Sequence, residues 1–481
     1  MELVTKKAMK CIQEADVIVY DNLIDISLLN YASLNTELIY AGKEAANHYL
    51  SQGSIIELLM DKAREGKYVV RLKGGDPYLF GRGSEEALAL KEAGISYEIV
   101  SGVTSSIAVP AYAGIPVTDR RFVSSCHIIT AHREDEAGID FENISKLEGT
   151  LVFMMGLAKL HHIVQGLTLH GKASDTPVAV LSDGSRYNRR KCVGTLADIE
   201  EKVKEAKLLP PAIIVVGEVV SLSNELDNFL ERYSDKKLFR KKILLTGTRY
   251  ICNKIKVALA DEGCDIDEIS IIESVPIESD FYNNIEKYIE SHDYLVFSSA
   301  NGIRVFFEKL KELHNVDLRK LSNIKFAVIG KGSAQTLRNY GYIADFVPSS
   351  FSNKDLAVEL CKQLKGEKLL LLRAREASAE LVEELEANKV EYTDVPLYET
   401  FRDYRRTFDI KRLIKNYDYV VVASSITAHT LCEMVEDKAV LEGRVVSIGP
   451  VTTGTCKRLG VEPLMSAREY SVDGIVRALL Q

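Results

Sequence analysis

Val69-Val70-Arg71-Leu72-Lys73-Gly74-Gly75-Asp76-Pro77-Tyr78-Leu79-Phe80-Gly81-Arg82-Gly83-Ser84-Glu85-Glu86 carries more information than any other segment of this chain. A short apolar run passes into paired glycines, an acid and a proline, then through two further glycines into a helix start with acids in its first turn. Without a Cβ, paired glycines let the backbone come close to a ligand. An acid at the tip of such a loop can hold hydroxyls or a cation. Gly-Gly-Asp-Pro alone is ordinary turn chemistry; the full run with Arg82 is far more specific.

Short β-rich runs alternate with amphipathic ones on both sides of this loop. Val17 to Tyr20, Tyr68 to Leu72, Thr150 to Met154, Pro177 to Leu181 and Ala212 to Val216 read as buried strands. Lys7 to Ala15, Ile55 to Glu65 and Ser84 to Ala93 carry helical periodicity. The alternation predicts α/β domains with largely parallel sheets. Ligands of such sheets sit beyond the carboxyl ends of the strands, where the Gly74-Gly75-Asp76 loop falls. A polar stretch from Tyr233 to Lys237 precedes a fresh strand at Lys242 to Thr246 and marks a boundary, with 233–241 as linker. A weaker break lies at Gly114-Ile115-Pro116, where proline interrupts the helix pattern; it divides the first half into about 1–113 and 114–232.

The bulk numbers fit this division. A chain of 481 residues holds about three ordinary domains. Its 46% hydrophobic and 27% charged content is that of a soluble globular protein. A net charge of −8 argues against a dedicated nucleic-acid binder. Eight cysteines lie scattered with no CxxC spacing, so a zinc or iron–sulfur site is not expected, and reduced thiols in a cytoplasmic protein are. No apolar run nears the ~20 residues needed to span a membrane, and no apolar core follows Lys6-Lys7 to make a signal peptide.

The second half repeats itself. Asp293 to Ser299 echoes Asp418 to Ser425, Phe326 to Gly330 echoes Val445 to Gly449, and Ile243 to Arg249 resembles Leu369 to Arg375. Two similar α/β lobes facing each other across a cleft would produce this pattern.

Several motifs of the first half, in order, make it resemble uroporphyrinogen-III C-methyltransferase of the tetrapyrrole methylase family: Glu14 to Ile24, Ala41-Gly42-Lys43, Val70 to Pro77, Ser101 to Ser105, Gly114 to Thr118, Phe153 to Leu157 and Pro177 to Val180. The resemblance covers residues 1–232. It implies a two-subdomain α/β fold with S-adenosyl-L-methionine in the cleft, and methylation of uroporphyrinogen III to precorrin-2. Carried over by position, it implies that Gly74, Gly75, Asp76, Leu79, Thr104, Ser105, Met155 and Gly184 meet the methyl donor. It makes Asp21 the proton acceptor and Lys43 the proton donor, which by residue type alone would read as a surface pair. The residue chemistry agrees for the donor, since Thr104-Ser105 suits a helix N-cap with free amides and Met155 offers a soft apolar face. The substrate carries eight carboxylates, so Arg82, Arg120, Arg121, Arg186, Arg189 and Arg190 are candidates for carboxylate forks. The family opens with an apolar strand and a Gly-x-Gly-Pro-Gly-Asp loop, whereas Met1 to Thr5 matches only the end of that signature. A first strand and donor loop of roughly 10–15 residues are thus expected to be missing.

Residues 242–481 resemble uroporphyrinogen-III synthase through Phe297 to Gly302, Ala327 to Gly330, Leu397 to Thr400, Ile448 to Thr452 and Tyr470 to Gly474. The resemblance implies a two-lobed α/β synthase with parallel sheets, lobe one at 242–275 plus 400–481 and lobe two at 276–399. It also implies closure of linear hydroxymethylbilane to uroporphyrinogen III with loss of water. Tyr398 matches a tyrosine that assists the departing hydroxyl; Ser298, Ser299, Lys331, Ser424, Ser425 and Thr452 are carboxylate-binding candidates. The second half would then make the substrate of the first, on the route to sirohaem and cobalamin, in a chain that needs no metal and forms a homodimer through its methyltransferase half. Two other readings stay open: a synthase with a degenerate methyltransferase half, and a non-catalytic two-lobed anion-binding protein.

Overall fold

The computed structural model describes residues 2–42, 50–131, 139–313, 317–350 and 352–481. In the first half β1 (Val17–Tyr20) lies between β2 (Glu37–Tyr40) and β3 (Val69–Leu72), all parallel. Successive side chains of a strand point to opposite faces. Val17 and Val19 accordingly pack on Ile55 and Leu59 of the helix Gln52–Arg64, while Ile18 and Tyr20 face Ile12 of the helix Lys6–Glu14. Burial on both faces is why β1 reads as an unbroken apolar run. Among the described residues no strand pairs with the far edge of β3.

The next sheet holds β4 (Cys126–Thr130), β5 (Thr150–Met154), β6 (Pro177–Ser182), β7 (Arg190–Thr195) and β8 (Ala212–Val216), in the order β4-β5-β8-β6-β7. Here the expectation of largely parallel pairing fails. Only β4 and β5 run parallel; β5–β8, β8–β6 and β6–β7 are antiparallel. The cause lies partly in chain length: the short link from β6 to β7 cannot hold a parallel crossover. Cores on both faces of this sheet make its central strands uniformly apolar, a signal of burial that carries no direction.

The second half opens with β9 (Lys242–Leu245) and β10 (Asp265–Glu268). It continues through β11 (Ile272–Pro276), β12 (Tyr294–Phe297), β13 (Lys325–Val328), β14 (Leu369–Ala374) and β15 (Tyr392–Arg402). It closes with β16 (Tyr419–Val422), β17 (Val445–Ser447) and β18 (Met465–Ser466). One sheet is ordered β10-β9-β16-β17-β18, the other β11-β15-β14-β12-β13. The repeat is visible in these orders: β9 corresponds to β14, β16 to β12, β17 to β13 and β10 to β15. The two lobes are circular permutations of one arrangement, because the chain leaves lobe one after β10 and returns to it at β16. The antiparallel pair β11–β15 accompanies the passage between lobes. No helix of the described residues is long and apolar enough to cross a membrane.

The halves do not hang on a loose tether. Leu238, between them, is buried in the core of lobe one. Ile12, Ile18, Tyr20, Leu28 and Leu29 share a single core with Leu244, Ile269, Ile410, Val420 and Leu431. At the outer edge of β10, Ser27 Oγ accepts from the Glu268 N–H (2.8 Å) and Asn30 Nδ2 donates to the Glu268 carbonyl (2.9 Å). An exposed strand edge is thereby closed by the first half.

Glu268 itself is buried at this seam, its carboxyl taking a hydrogen bond from Ser270. Burial, against the pull of Ser270 and Lys256, pushes its pKa up to about 7. A carboxyl raised on folding binds its proton more tightly in the folded state, so its contribution is present at low pH and is lost as pH rises from about 4.5 to about 7. Denaturant midpoints across that range are expected to show Glu268→Gln gaining on the wild type by up to about 3 kcal/mol as pH rises. Parallel pH curves for the two proteins would refute the assignment.

Candidate active sites in the two halves

Asp21 stands at the carboxyl end of β1, beside Arg71 on the neighbouring strand β3. Asp21 Oδ2 accepts from Arg71 Nη2 at 3.2 Å, and Oδ1 accepts from the Leu23 N–H at 2.9 Å. Arg71 is fixed by donating to the Val19 and Leu72 carbonyls (3.2 and 2.9 Å), and its Nε lies 3.4 Å from Glu86. Glu86 in turn takes Lys73 at 3.1 Å. Charges alternate through the cluster, which offsets the cost of burying them. Burial, followed by the Arg71 charge, holds the Lys73 ammonium below the usual lysine value. Of the four, Asp21 is the most open, with 23% of its side chain exposed against 12% for Arg71. Lys43 lies outside the described residues.

The glycine loop presses against this cluster. A Cβ on Gly74 would come within 2.8 Å of the Leu23 carbonyl, and one on Gly102 within 2.2 Å of the Gly75 carbonyl. Gly75 adopts φ +75°, in the left-handed region. The Asp76 carboxylate is spent on the loops: Oδ1 accepts from Tyr78 N–H (2.9 Å) and Oδ2 from Gly102 N–H (3.1 Å). Asp76 therefore ties the glycine loop to the turn that leads to Thr104, which caps the helix Ser105–Tyr112. A Cβ on Gly184 would meet Val109 Cγ1 of that helix at 2.2 Å. Gly74, Gly75, Asp76, Thr104, Ser105 and Gly184 are thus brought together, with half-buried Leu79 in the same loop. Met155 follows β5 with φ +56°, strained for a non-glycine residue, and half its surface is open. Glycine backbone, the start of the helix Ser105–Tyr112 and the exposed apolar side chains of Leu23 and Val103 lie together here, a surface whose chemistry suits a ligand with both apolar and charged groups.

The arginine candidates separate. Arg82 pairs with Glu85, Arg121 with Asp119, and Arg120 is exposed. Arg189 stacks on Phe229 at 3.5 Å, and Arg190 reaches the Lys207 carbonyl. Arg186 crosses to the second half, 3.3 Å from Asp267. It lines a cavity of ≈ 150 Å³ at the seam with Asp21 and Asn22 on one side and Lys242, Arg412 and Tyr417 on the other. Arg412 donates to the Asn22 side chain. No local pattern in the chain signals this meeting, which spans 390 positions.

In the second half, the Tyr398 hydroxyl on β15 lies 2.8 Å from Ser299 Oγ. Ser299 also accepts from the Gly302 N–H and caps the helix Ala300–Glu312. Ser424 does the same at the equivalent place in lobe one, accepting from the Thr427 N–H. Burial raises the Tyr398 pKa, so the phenol keeps its proton. Lys331 begins the helix Lys331–Asn339, which has no side-chain cap. Ser425 Oγ accepts from Thr455, Ser298 is half-buried, and Thr452 is 1% exposed within the helix Pro450–Arg458. Sequence inspection overlooked Tyr250, Lys254, Arg304 and Thr336, which meet where the lobes face each other. The Tyr250 hydroxyl is 3.5 Å from Thr336 Oγ1. Their available signal was slight: Lys254 follows Tyr250 by four residues, one helical turn.

Two families match this chain. That described as Tetrapyrrole (Corrin/Porphyrin) Methylases matches residues 1–200, and that described as Uroporphyrinogen-III synthase HemD matches residues 253–477. The chain is similar over its whole length to the porphyrin biosynthesis protein HemD of Ruminiclostridium josui, 34% identical over 486 residues, covering 100% of this chain and 95% of that one. Its first half is 50% identical over 228 residues to an S-adenosyl-L-methionine-dependent uroporphyrinogen III methyltransferase of Methanosarcina barkeri, covering 47% of this chain and 89% of the relative. It is 49% identical over 223 residues to the uroporphyrinogen-III C-methyltransferase of Methanocaldococcus jannaschii, covering 46% and 92%.

Proposed function

The chain belongs to the HemD family of porphyrin-biosynthesis proteins in which a tetrapyrrole methylase precedes a uroporphyrinogen-III synthase, and from that premise we propose that it makes uroporphyrinogen III from hydroxymethylbilane and methylates it to precorrin-2. The observation that carries the first-half activity is the Asp21–Arg71 pair set against the glycine cradle. S-adenosylmethionine supplies an electrophilic methyl when bound there. Gly74, Gly75, Thr104, Ser105 and Gly184 would hold it, with Leu79 and Met155 as apolar contacts. The cradle orients the acceptor carbon in line with the methyl, and positioning of this kind supplies much of the rate. Asp21 then takes the proton that the newly methylated ring must lose. Lys43 is proposed as the proton donor on sequence grounds.

In the second half the Tyr398 O–H donates to the hydroxyl that leaves the bilane, and Ser299 holds the phenol in place. The capped helix starts at Ser299 and Ser424, with Lys331, receive acidic arms. Domain limits at 232 and 242, cytoplasmic location and a homodimer through the first half are parts of the same proposal. The eight thiols are all unpaired, as a reducing compartment would leave them.

Incubating the full chain with hydroxymethylbilane is expected to give uroporphyrinogen III, and adding S-adenosylmethionine to give a doubly methylated product. Donor binding is read separately by titration. Formation of the uncatalysed ring isomer alone would overturn the synthase activity; absence of donor binding would overturn the methyltransferase. Tyr398→Phe is expected to slow cyclisation about tenfold, in the range of a single lost donor hydrogen bond. An unchanged rate would remove Tyr398 from the reaction.

A further inference from the structure

Arg304 and Lys254 are two cations gathered at one aromatic ring. Neither makes an ion pair among the described residues, and the buried Nε of Arg304 has no hydrogen-bond partner. Both lie against one aromatic ring: the Arg304 guanidinium and the Lys254 ammonium are each 4.4 Å from the centre of Tyr250. The nearby acid Glu273 is taken by Arg249 at 3.0 Å. Glu273 also feels the Arg304 charge, so one acid is shared by Arg249 and Arg304; two cations on one ring with so little negative charge nearby favour an added anion.

The cluster is built from both lobes. Tyr250 and Lys254 sit one turn apart on the helix Arg249–Ala258 of lobe one. Arg304 comes from the helix Ala300–Glu312, whose first cap is Ser299, the partner of Tyr398. Thr336 faces the Tyr250 hydroxyl from the helix Lys331–Asn339. The hydroxyl of Thr248, which precedes the lobe-one helix, is buried without a partner. Although burial works against it, contacts with Lys254 and Thr336 and the two cations bring the Tyr250 phenol below the usual tyrosine value. Arg304 also acts electrostatically on Tyr398.

We propose that Arg304 and Lys254, both packed on Tyr250, form a carboxylate-anchoring subsite at the seam of the two lobes. It takes an acidic arm of the linear tetrapyrrole and so fixes the lobes around the chain end that Tyr398 serves. The inference rests on the synthase reading of the second half. Guanidinium and ammonium together suit a carboxylate that is bidentate on one side and point-charge bound on the other.

The test uses the full chain and steady-state cyclisation of hydroxymethylbilane. Arg304→Gln and Lys254→Gln are each expected to raise KM about tenfold with kcat within about twofold of wild type. Arg304→Lys is expected to recover part of the loss, and added salt to raise the wild-type KM more than that of the variants. Methylation of added uroporphyrinogen III by the same preparations reports that they are folded. Should Arg304→Gln lose methylation too, Arg304→Lys and Lys254→Gln decide the outcome. Unchanged KM in variants that cyclise normally, or a fall confined to kcat, overturns the subsite. A wild-type chain that fails to cyclise at all would instead overturn the synthase reading.

Discussion

Asp21→Asn is expected to lower methylation by ~10²–10⁴-fold, the usual contribution of a positioned proton acceptor, while donor affinity and cyclisation stay within about twofold of wild type. The separation follows from geometry. The proposed donor cradle rests on glycine backbone contacts and on Asp76, which is tied to Tyr78 and Gly102 rather than to Asp21. Asparagine keeps the volume and one acceptor; with that oxygen on the Leu23 N–H the strand-end loop retains its shape, while the amide nitrogen replaces the oxygen that faces Arg71. What disappears is a negative group able to accept the proton released after carbon–methyl bond formation. The control is Arg71→Lys, which leaves a cation near Asp21 but loses the guanidinium bonds to Val19 and Leu72. It is expected to disturb the loop, and so to affect donor binding as well as turnover. Donor titration and single-turnover methylation distinguish the two. Full activity in Asp21→Asn would sink the assignment.

How much of this was legible in the chain depends on how local the signal is. Strands buried on both faces announce themselves: Val17 to Tyr20 and Thr150 to Met154 have the predicted bounds because a continuous apolar run has few other uses. The lobe repeat was readable because Ser299 and Ser424 cap equivalent helices after equivalent strands. Strand direction in the β4–β8 sheet was not, since burial leaves the same composition whichever way a strand runs. The seam between the halves left the least trace. Asp403-Tyr404-Arg405-Arg406 has the composition of a solvated charge run. Nothing within ten residues tells that Arg405 reaches the carbonyls of Ser33 and Thr36, or that Arg406 is 1% exposed. For the same reason Arg304 and Lys254 passed unnoticed, because an unpaired cation is recognised only once its neighbours in space are known.

Arg406→Met is expected to cost about 3–5 kcal/mol and to destabilise both halves in a single transition. Arg406 Nε donates to Asp409 at 3.1 Å, Nη1 to Asn30 Oδ1 at 2.6 Å and Nη2 to the Ile26 carbonyl at 3.2 Å. Asp409 is wholly buried, and its other oxygen accepts from Tyr20 at 3.0 Å, with Arg412 3.5 Å away. Methionine fills most of the arginine volume, so the loss arises from leaving the buried Asp409 charge under-compensated and Asn30 and Ile26 short of a donor. Because Asn30, Ile26 and Tyr20 belong to the first half, and Ile26 and Tyr20 share a core with lobe one, the damage spreads across the seam. Chemical denaturation followed in parallel by donor binding and by cyclisation should therefore show both midpoints falling together. Adding Asp409→Leu and Tyr20→Phe to Arg406→Met removes the stranded charge and its hydroxyl partner, and is expected to recover part of the stability, since a buried ionic group replaced as a whole by apolar residues is often tolerated. Two separate midpoints, with only cyclisation shifted, would mean that the halves fold independently and that their shared core contributes little to either.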